Sequence, residues 1–533
     1  MDKQEIKAIL ADVRKSRTEK GAQVLAELEN YRHLTYPAFL RQRAQGWSDR
    51  VALIHKDRKT TYAELFRKID GMSDALRRRG VKPGDAVALL LDNTDSYVVC
   101  FLAILSIGAV AIPLNTKLVA REVKYIVENS RAIMALSHPM FAAVWDQVGK
   151  ERPGLCPVHM AETLLADTAP PASGATASPI PDYHVAAGVY YTSGTTGSPK
   201  GVVHTHRAII SDALQNPHAW EYDFDGLIGL AATPMFHIAS NAVFLPVLSL
   251  GGTLIIDNFH TESTLALLDK HKVNSFFAVP SMLILLVEKA RETGLVLSAL
   301  RSLQFGAAPM PIQRLGEVQA LFPNAGLVHG MGQTETCGVL VTLPSKLAFA
   351  CAGSIGIAMA GVEVSFFDSD DKEVAPNEVG EMVGRGPNMM WHYFDNPSAT
   401  QETLRGGWLH TGDLGYYDEL GLTYLVDRKK DMIIRGGENI YSTEVEQVLL
   451  MHPAVAQAAV VGKPDKLFGE QVLAFVVPRD PVAGVDVASV IAHCRTHLAS
   501  FKVPVEIRLS EAFPMTATGK IQKGELRKSV GTL

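Results

Sequence analysis

The chain has 533 residues, of which 47% are hydrophobic and 20% are charged, and its formal net charge is −5. This length exceeds what one hydrophobic core supports, so we expect at least two domains of an ordinary soluble globular protein. The small negative charge gives no electrostatic reason to expect a nucleic-acid partner. Five widely separated cysteines have neither zinc nor disulfide spacing, which favours a reducing cytoplasm.

Along the N-terminal two thirds of the chain, apolar strand-like runs alternate with amphipathic helical stretches. We expect helices at Asp2–Tyr31, Thr61–Arg79, Ser263–Lys270 and Ser281–Thr293, and buried strands at Val87–Leu91, Ala109–Ile112, Gly251–Ile256 and Asn274–Val279. That alternation predicts an α/β fold with parallel-type sheets and covering helices. The segment 168–182, rich in Pro, Ala and Ser, predicts a flexible surface linker inside this large domain.

Two stretches bear on membrane targeting. The first residues mix both charge signs before any apolar run, so they do not resemble a secretory signal. Ser96–Thr116 has no charged residue and is nearly long enough to span a bilayer. Because Gly108 and Pro113 interrupt it, we expect a buried helix followed by a buried strand and no membrane span.

Residues 192–201, Thr-Ser-Gly-Thr-Thr-Gly-Ser-Pro-Lys-Gly, follow the β-like run Ala186–Tyr191. Glycines allow backbone N–H groups to approach a ligand closely, hydroxyls donate hydrogen bonds, and Lys200 adds a mobile positive charge. The common P-loop spacing is absent. A solvated Gly/Ser loop is the alternative, but ten consecutive residues suited to a polyphosphate favour phosphate binding.

From about residue 354 to about 425, shorter strands separated by turns predict a small β-barrel-like subdomain, with strands at Val362–Phe367 and Gly380–Val383. A compact α+β unit is expected beyond Lys430. Its predicted elements are the helix Ser442–Met451, strands at Val455–Val461 and Gln471–Val477, and the helix Val487–Leu498.

The 192–201 loop resembles the signature loop of the adenylate-forming superfamily, which includes acyl-CoA synthetases, peptide-synthetase adenylation domains and luciferases. Further family motifs follow in family order, at 233–237, 306–309, 332–335, 353–356, 408–413, 428–431, 436–441 and 514–520. The resemblance covers nearly the whole chain. It implies a large N-terminal domain, 1–429, and a smaller mobile C-terminal domain, 430–533, that carries Lys520.

The resemblance also implies a site for ATP and Mg²⁺. The β- and γ-phosphates are expected at the loop residues Thr192, Ser193, Gly194, Thr195, Thr196, Gly197 and Lys200. Glu335 is the expected Mg²⁺ ligand, and Thr334 is expected to donate to the α-phosphate. The remaining expected nucleotide contacts are Gly306, Ala307 and Ala308 along the purine, Met331 and Gly332 beside it, and Asp413 and Arg428 at the ribose.

One position departs from the family pattern. Met331 stands where the family usually has an aromatic residue that stacks on adenine. A thioether can still pack against an adenine face. The nucleotide site is therefore expected, with an altered stacking arrangement.

By resemblance, four further residues are expected to serve the two half-reactions, which are adenylation of the acid and transfer of the acyl group to a thiol. Lys520 is expected to bridge the substrate carboxylate and the α-phosphate during adenylation. Gly436 and Gly437, which lack side chains, are expected to line a tunnel for the pantetheine arm of coenzyme A. Lys430 matches the family's hinge position, although it could equally be an ordinary exposed charge.

By resemblance, the acyl pocket is lined by small or apolar residues: His237, Ile238, Ala239, Asn241, Phe244, Ala307 and Gly332. His237 either gates the carboxylate or is a packed histidine. Its position lacks the aspartate typical of amino-acid-activating domains, and the wall has no Arg or Lys for a second carboxylate. A medium-chain, alicyclic or aromatic monocarboxylic acid is expected. Cys337, two residues past Glu335, is more typical of a filler or a pocket-wall residue than of a nucleophile.

The predicted function is an AMP-forming carboxylate–CoA ligase whose partners are a small carboxylic acid, ATP and coenzyme A. Loading of a carrier protein, a luciferase-like oxidation and a non-catalytic nucleotide-binding regulator are the alternatives. Retention of Lys520 and Glu335 disfavours a regulator, because simple binding needs no groups that stabilise a transition state. The sequence leaves the oligomeric state open.

Overall fold

The computed structural model describes residues 1–167, 182–192, 199–308, 310, 312–482, 484–515 and 521–530. The predicted linker at 168–182 lies outside the described residues except for Asp182. Several predicted site residues also lie outside them: Ser193, Gly194, Thr195, Thr196, Gly197 and Lys520.

Helices of the described chain are numbered in chain order. They are α1 (Lys3–Glu29), α2 (Tyr36–Arg43), α3 (Tyr62–Arg78), α4 (Asp95–Ser106), α5 (Ala120–Asn129), α6 (Ala142–Glu151), α7 (Ala161–Ala166), α8 (His206–Ala219), α9 (Ile238–Ser249), α10 (Thr261–Lys270), α11 (Pro280–Thr293), α12 (Ile312–Leu321), α13 (Pro397–Thr403), α14 (Ser442–Met451), α15 (Val487–His497) and α16 (Lys523–Lys528). Short 3₁₀ turns occur at Pro139–Phe141, Thr334–Thr336 and Ser345–Leu347.

The strands are numbered in the same way. They are β1 (Val51–His55), β2 (Arg58–Thr61), β3 (Ala86–Leu90), β4 (Val110–Pro113), β5 (Met134–Ser137), β6 (Val158–Met160), β7 (Ala186–Thr192), β8 (Lys200–Thr205), β9 (Ile228–Ala231), β10 (Thr253–Ile256), β11 (Ser275–Ala278), β12 (Ser302–Gly306), β13 (Gly326–Gln333), β14 (Gly338–Leu343), β15 (Ile357–Ala358), β16 (Glu363–Phe367), β17 (Gly380–Arg385), β18 (His392–Tyr393), β19 (Leu404–Arg405), β20 (Trp408–Tyr417), β21 (Thr423–Arg428), β22 (Ile433–Arg435), β23 (Glu438–Ile440), β24 (Val455–Asp465), β25 (Gly469–Pro478) and β26 (Glu506–Leu509).

Two large sheets form the N-terminal part. The first has the order β15-β14-β13-β12-β11-β9-β10-β1-β2, and the second has the order β18-β8-β7-β4-β3-β5-β6. The centre of each is parallel, as predicted, but β2, β14, β15, β8 and β18 pair antiparallel at the edges. The sheets are therefore mixed. Parallel neighbours need a long crossover connection, so strands joined by a loop as short as that between β7 and β8 pair antiparallel.

Local sequence signals determine where several helices begin. Helix α3 starts with a capping box in which Thr61 and Glu64 satisfy each other's backbone N–H groups. The uncharged stretch at 96–116 folds as the fully buried helix α4 followed by the buried strand β4, as predicted. Within the described residues, no helix combines the length and apolar character needed to cross a bilayer.

The partly buried guanidinium of Arg17 joins the N-terminal helix α1 to the first sheet. Nη1 of Arg17 donates to the carbonyls of Ile357 and Ala358 at 2.7 and 2.8 Å, and Nη2 donates to Oγ1 of Thr342 at 2.6 Å. Burial lowers the pKa of Arg17 to about 10, and the charge of Glu221 opposes that shift. Arg17 thus satisfies carbonyls at the edge formed by β14 and β15.

The C-terminal part contains two smaller sheets. A five-stranded sheet has the order β16-β17-β20-β19, with β21 also paired to β20, and it occupies the predicted β-subdomain. The other has the order β23-β22-β25-β24, with β26 paired to β25 and with α14 and α15 packed in the same α+β unit. Both helices lie where the sequence predicted them.

The chain divides into two compact units. One comprises 1–364, 383–410 and 420–422, and the other comprises 365–382, 411–419 and 423–533. The expected boundary between an N-terminal domain, 1–429, and a mobile C-terminal domain, 430–533, stays a prediction.

Candidate active site

The ends of the predicted phosphate loop lie side by side. Thr192 and Lys200 are antiparallel partners at the ends of β7 and β8, and Thr192 Oγ1 lies 3.5 Å from the Lys200 carbonyl. The carbonyl of Pro199 accepts a hydrogen bond of 3.2 Å from the hydroxyl of Tyr125. The strand pairing therefore fixes both ends of the loop.

Lys200 and Glu335 both contact Tyr393. The Tyr393 hydroxyl donates to Oε1 of Glu335 at 2.8 Å, and Nζ of Lys200 lies 5.1 Å from the centroid of the Tyr393 ring. The Glu335 carbonyl also accepts from the Met390 N–H at 2.8 Å. Burial and the neighbouring Glu335 charge raise the pKa of Tyr393, so its hydroxyl stays protonated and can donate. The hydrogen bond from Tyr393 orients the Glu335 carboxylate.

Two buried side chains support the 3₁₀ turn that presents Glu335. Nε2 of His204 lies 2.7 Å from the Thr334 carbonyl, and burial lowers the pKa of His204 to about 4. The ring is therefore neutral at pH 7, with its proton on Nε2. At the other end of the turn, Nδ2 of Asn388 donates to the carbonyls of Thr336 and Val339 at 2.9 and 3.1 Å.

Cys337 follows this turn in the left-handed conformation, with φ of 53°. It is fully buried, and burial raises its pKa well above the usual value. A protonated, enclosed thiol is a poor nucleophile. Full burial agrees with a filler role in the core, and a place for Cys337 in the pocket wall stays a prediction.

The predicted purine strip lies at the carboxyl ends of parallel strands. Gly306 ends β12 beside Gly330 of β13, and a Cβ on Gly306 would lie 2.1 Å from the Gly330 carbonyl oxygen. Ala307 has φ of 67°, and both Ala307 and Ala308 are exposed. The carboxyl ends of parallel strands are where α/β folds bind ligands.

Gly332 also lies in close contact with the backbone of a neighbouring strand. A Cβ there would lie 1.6 Å from the Gly338 carbonyl oxygen, so only glycine fits. Its neighbour Met331 is 9% exposed and offers little surface to a ligand. An adenine-packing role for Met331 stays a prediction.

Helix α9 carries most of the predicted acyl wall. His237 caps its N-terminus, where Nδ1 accepts from the Ala239 N–H at 3.2 Å. His237 and Ala239 are partly exposed, whereas Ile238 is buried. His237 therefore already has one capping contact, and a gating role stays a prediction.

The deeper members of this wall face the interior. Nδ2 of Asn241 donates to the Tyr190 hydroxyl at 2.6 Å. The Phe244 ring packs edge-to-face on Phe101, with centroids 5.9 Å apart. Phe244 thus supports the core beneath α9.

In the other compact unit, the predicted ribose pair is in direct contact. Asp413 and Arg428 are cross-strand partners on β20 and β21, and Arg428 Nε lies 2.5 Å from Asp413 Oδ1. Asp413 is buried, while 43% of the Arg428 side chain is exposed. The ion pair fixes the carboxylate orientation.

The predicted hinge residue lies between two ion-paired neighbours. Lys429 Nζ lies 3.1 Å from Oε2 of Glu381, and Arg527 Nη2 lies 2.5 Å from Oδ1 of Asp431. Burial lowers the pKa of Lys430, and the Asp431 charge opposes that shift. The Lys430 side chain is nevertheless exposed, so both its hinge role and the alternative of an ordinary exposed charge stay predictions.

Gly436 and Gly437 form the two-residue turn between β22 and β23. Their φ values of 60° and 90° match a type I′ hairpin turn, which needs positive φ at both positions. The Gly436 N–H donates to the Phe468 carbonyl at 2.8 Å.

Lys520 itself lies outside the described residues, but its flanking residues are paired. Met515 and Ile521 form an antiparallel bridge, and the Gln522 N–H donates to the Pro514 carbonyl at 2.8 Å.

Sequence reasoning missed Tyr393, His204 and Asn388. Tyr393 and Asn388 lie more than 50 residues from the turn that they contact. No spacing signal connects them to it. His204 could have been found, because it lies on the strand that directly follows the phosphate loop.

Family models match both parts of the chain. Residues 40–394 match "AMP-binding enzyme", and residues 444–520 match "AMP-binding enzyme C-terminal domain". A feruloyl-CoA synthase from Amycolatopsis sp. is 35% identical over 494 residues, covering 92% of this chain and 98% of that protein. A 2-succinylbenzoate–CoA ligase from Bacillus subtilis (strain 168) is 34% identical, covering 92% and 97%.

A solved structure shows the same fold. The o-succinylbenzoate coenzyme A synthetase from Bacillus subtilis, in complex with ATP and magnesium ion, has a TM-score of 0.82 and 32% identity. The match covers 92% of this chain and 98% of that one.

Proposed function

Because this chain belongs to the AMP-binding enzyme family, the adenylate-forming superfamily that its motifs resemble, we propose that it is an AMP-forming carboxylate–CoA ligase. It activates a monocarboxylic acid with ATP, releases pyrophosphate, and passes the acyl group to the thiol of coenzyme A. The names of the relatives, which are CoA synthases and ligases, agree with the predicted acid–thiol ligase class.

The observation that carries this proposal is the shared contact of Lys200 and Glu335 with Tyr393. A cation at the end of a loop rich in glycine and hydroxyls suits phosphate oxygens. A carboxylate oriented by the same tyrosine suits a divalent cation. Together they provide the opposite charges needed to hold a metal–triphosphate complex.

The Glu335 environment fits Mg²⁺. Its carboxylate is partly exposed and is held at Oε1 by the Tyr393 hydroxyl. Mg²⁺ is typically bound by one or two carboxylates together with phosphate oxygens. The ion, when bound, neutralises phosphate charge, while the protein's part is to fix the carboxylate through Tyr393, His204 and Asn388.

In the first half-reaction, a carboxylate oxygen of the acid forms a bond to the α-phosphorus, and the bond to pyrophosphate breaks. Pyrophosphate leaves with the electron pair. Lys200 and the loop hydroxyls stabilise its charge, and Lys520 bridges the acid carboxylate and the α-phosphate. The C-terminal family model matches through residue 520, so Lys520 lies within the matched segment.

In the second half-reaction, the thiol sulfur attacks the acyl carbonyl and AMP leaves. The proposed roles of Gly436 and Gly437 rest on their turn, since a hairpin tip without side chains leaves room for a narrow pantetheine arm. A domain 430–533 that turns about Lys430 would present first Lys520 and then this turn to the same site.

The predicted acyl wall supports a medium-chain, alicyclic or aromatic acid, because its members are mostly small or apolar. We also propose a cytoplasmic location. None of the five cysteines, all of which lie in the described residues, forms a disulfide, which suits a reducing compartment.

The test is a panel of monocarboxylic acids with ATP and Mg²⁺, assayed for pyrophosphate release and for AMP with and without coenzyme A. We expect pyrophosphate release with the accepted acid and acyl-CoA formation when coenzyme A is added. Turnover with a phosphopantetheinylated carrier protein but not with coenzyme A would favour the carrier-loading alternative. Absence of pyrophosphate release across the panel would contradict the proposal.

A further inference from the structure

A buried asparagine between β3 and α4 holds the segment that leads into α9. Nδ2 of Asn93 donates to the carbonyls of Thr233 and Asp257 at 2.9 and 3.0 Å, and Oδ1 accepts from the Met235 N–H at 2.8 Å. The amide therefore binds a carbonyl and the N–H two residues further on, as a residue of a neighbouring parallel strand does. Only 5% of Asn93 is exposed, so these bonds are shielded from water.

A tyrosine in the first turn of α4 holds the same residue by its carbonyl. The Tyr97 hydroxyl donates to the Met235 carbonyl at 2.7 Å, and both residues are fully buried. Burial raises the pKa of Tyr97 well above its usual value, so the hydroxyl stays protonated and can donate. The Tyr97 ring stacks on Phe101, with centroids 6.1 Å apart. Asn93 and Tyr97 together thus bind both backbone polar groups of Met235, which lies outside any helix or strand.

The segment held in this way, 233–237, leaves the first sheet where the strand order reverses. β10 and β11 both follow β9 in the chain and pair parallel with it on opposite sides. Open α/β sheets bind ligands at the carboxyl ends of strands beside such a reversal. The segment therefore lies where a substrate is expected.

Met235 is only two residues from the predicted acyl wall. His237 caps α9, and its N–H donates to the Pro234 carbonyl at 3.1 Å, which closes the turn between Met235 and the helix. A shift of the Met235 backbone would therefore displace His237. The groups expected to hold the triphosphate and Mg²⁺ are on other elements, since Lys200 begins β8 and Glu335 lies in the 3₁₀ turn after β13.

We propose that Asn93 and Tyr97 are positioning residues for the substrate acid, because they hold the Met235 backbone and so set His237 and the start of the acyl wall. This proposal rests on the proposed ligase function and deepens it at the acid site. Misplacing a group that orients a reactant lowers the rate even when the mutated residue never touches the reactant.

The experiment separates the acid from ATP in two variants. Asn93→Asp keeps the acceptor for the Met235 N–H, but a carboxylate donates to neither carbonyl and a protonated acid to only one. Tyr97→Phe removes the hydroxyl and keeps the ring that stacks on Phe101. Pyrophosphate release is measured with the accepted acid varied at saturating ATP, and with ATP varied at saturating acid.

We expect kcat/KM for the acid to fall by about tenfold or more in Asn93→Asp, with the KM for ATP changed by less than about twofold. Tyr97→Phe should show the same selectivity for the acid with a smaller loss, because the two bonds from Asn93 to the segment remain.

Asn274→Asp is the matched control. Nδ2 of Asn274 donates to the Gly226 carbonyl and Oδ1 accepts from the Ile228 N–H, both at 2.8 Å, which is the same arrangement at the other end of β9. Urea unfolding gives the stability of each variant. The control should lose stability and keep the wild-type kcat/KM for the acid.

Wild-type kinetics for the acid in folded Asn93→Asp or Tyr97→Phe would overturn the proposal. Equal losses toward the acid and ATP would also overturn it, as would an equal loss toward the acid in Asn274→Asp. If Asn93→Asp fails to fold, the acid kinetics of Tyr97→Phe decide. These results leave the ligase function standing, whereas no turnover of any acid by wild type would remove that function and this proposal with it.

Discussion

The hydroxyl of Tyr393 and the carboxylate of Glu335 are joined by a 2.8 Å hydrogen bond across 58 residues of sequence. The same tyrosine ring lies against the Lys200 ammonium. One side chain therefore couples the end of the phosphate loop to the expected metal ligand. That coupling makes Tyr393 the most informative residue to change.

Tyr393→Phe removes the hydroxyl and keeps the ring beside Lys200. Because a hydrogen bond to a charged group contributes about 1.5–3 kcal/mol, we expect pyrophosphate release to fall by about tenfold or more and to require more Mg²⁺. A Mg²⁺ titration of the initial rate measures this. Tyr222→Phe, which changes a partly buried tyrosine hydrogen-bonded to Ser275, is the control. An unaltered Mg²⁺ requirement in Tyr393→Phe would contradict the assigned role.

Lys520→Ala tests the division between the half-reactions. Loss of the bridging ammonium should reduce adenylate formation by about a hundredfold or more, while supplied acyl-adenylate should still be converted to thioester. Lys528→Ala, which removes a lysine whose side chain is 71% exposed, should leave both rates unchanged. Equal loss of the two rates in Lys520→Ala would defeat the assignment.

Lys430→Pro tests the hinge. Proline fixes φ and so restricts rotation at this position. We expect pyrophosphate exchange to persist and thioester formation to fall. Lys430→Ala removes the same charge without stiffening the backbone and should support both steps. If thioester formation is normal in the proline variant, the hinge lies elsewhere.

Two buried histidines predict how stability depends on pH. Burial lowers the pKa of His204 to about 4 and that of His206 to about 3, below the value of about 6.5 in an unfolded chain. The unfolded state therefore takes up protons first, so stability is fully present above pH 6.5 and is lost as pH falls toward 4. Each histidine contributes a slope of about 1.4 kcal/mol per pH unit in this window.

Urea unfolding at pH 7, 6 and 5 measures that slope. His206→Asn can keep an acceptor for the Tyr36 N–H, which lies 3.2 Å from Nδ1, and removes the titrating ring. We expect a flatter pH dependence in this variant. A slope identical to that of wild type would show that His206 is not a source of the acid sensitivity.

Gly332→Ala tests the close contact beside the nucleotide site. Its Cβ would collide with the Gly338 carbonyl oxygen, which belongs to the backbone and cannot move aside cheaply. We expect about 3 kcal/mol of destabilisation or more, with loss of activity. Gly316→Ala is the control, since its Cβ meets open space on helix α12, and it should stabilise by about 0.5–1 kcal/mol. Thermal unfolding of both variants checks this.

The helices and strands predicted from local sequence agree closely with those of the structure. The apolar alternation over Asn274–Val279 became β11, and the amphipathic stretch beginning at Ser442 became α14 over the predicted range. The ordered motifs identified the family and the AMP-forming ligase class, which the relatives confirm. These features are local because hydrogen bonding within a helix, side-chain alternation in a strand and glycine-rich turns depend on neighbouring residues.

Only the tertiary structure decided which distant side chains meet. Tyr393 contacts Glu335, His204 supports Thr334, and Asp212 lies behind Gly338 because different strands and helices bring them together. No periodicity encodes such contacts, since they depend on strand order and register across two sheets. Burial then shifts the pKa values of His204 and Asp212, because removing the charged form of a side chain from water is costly. The local sequence does not show which side chains are buried.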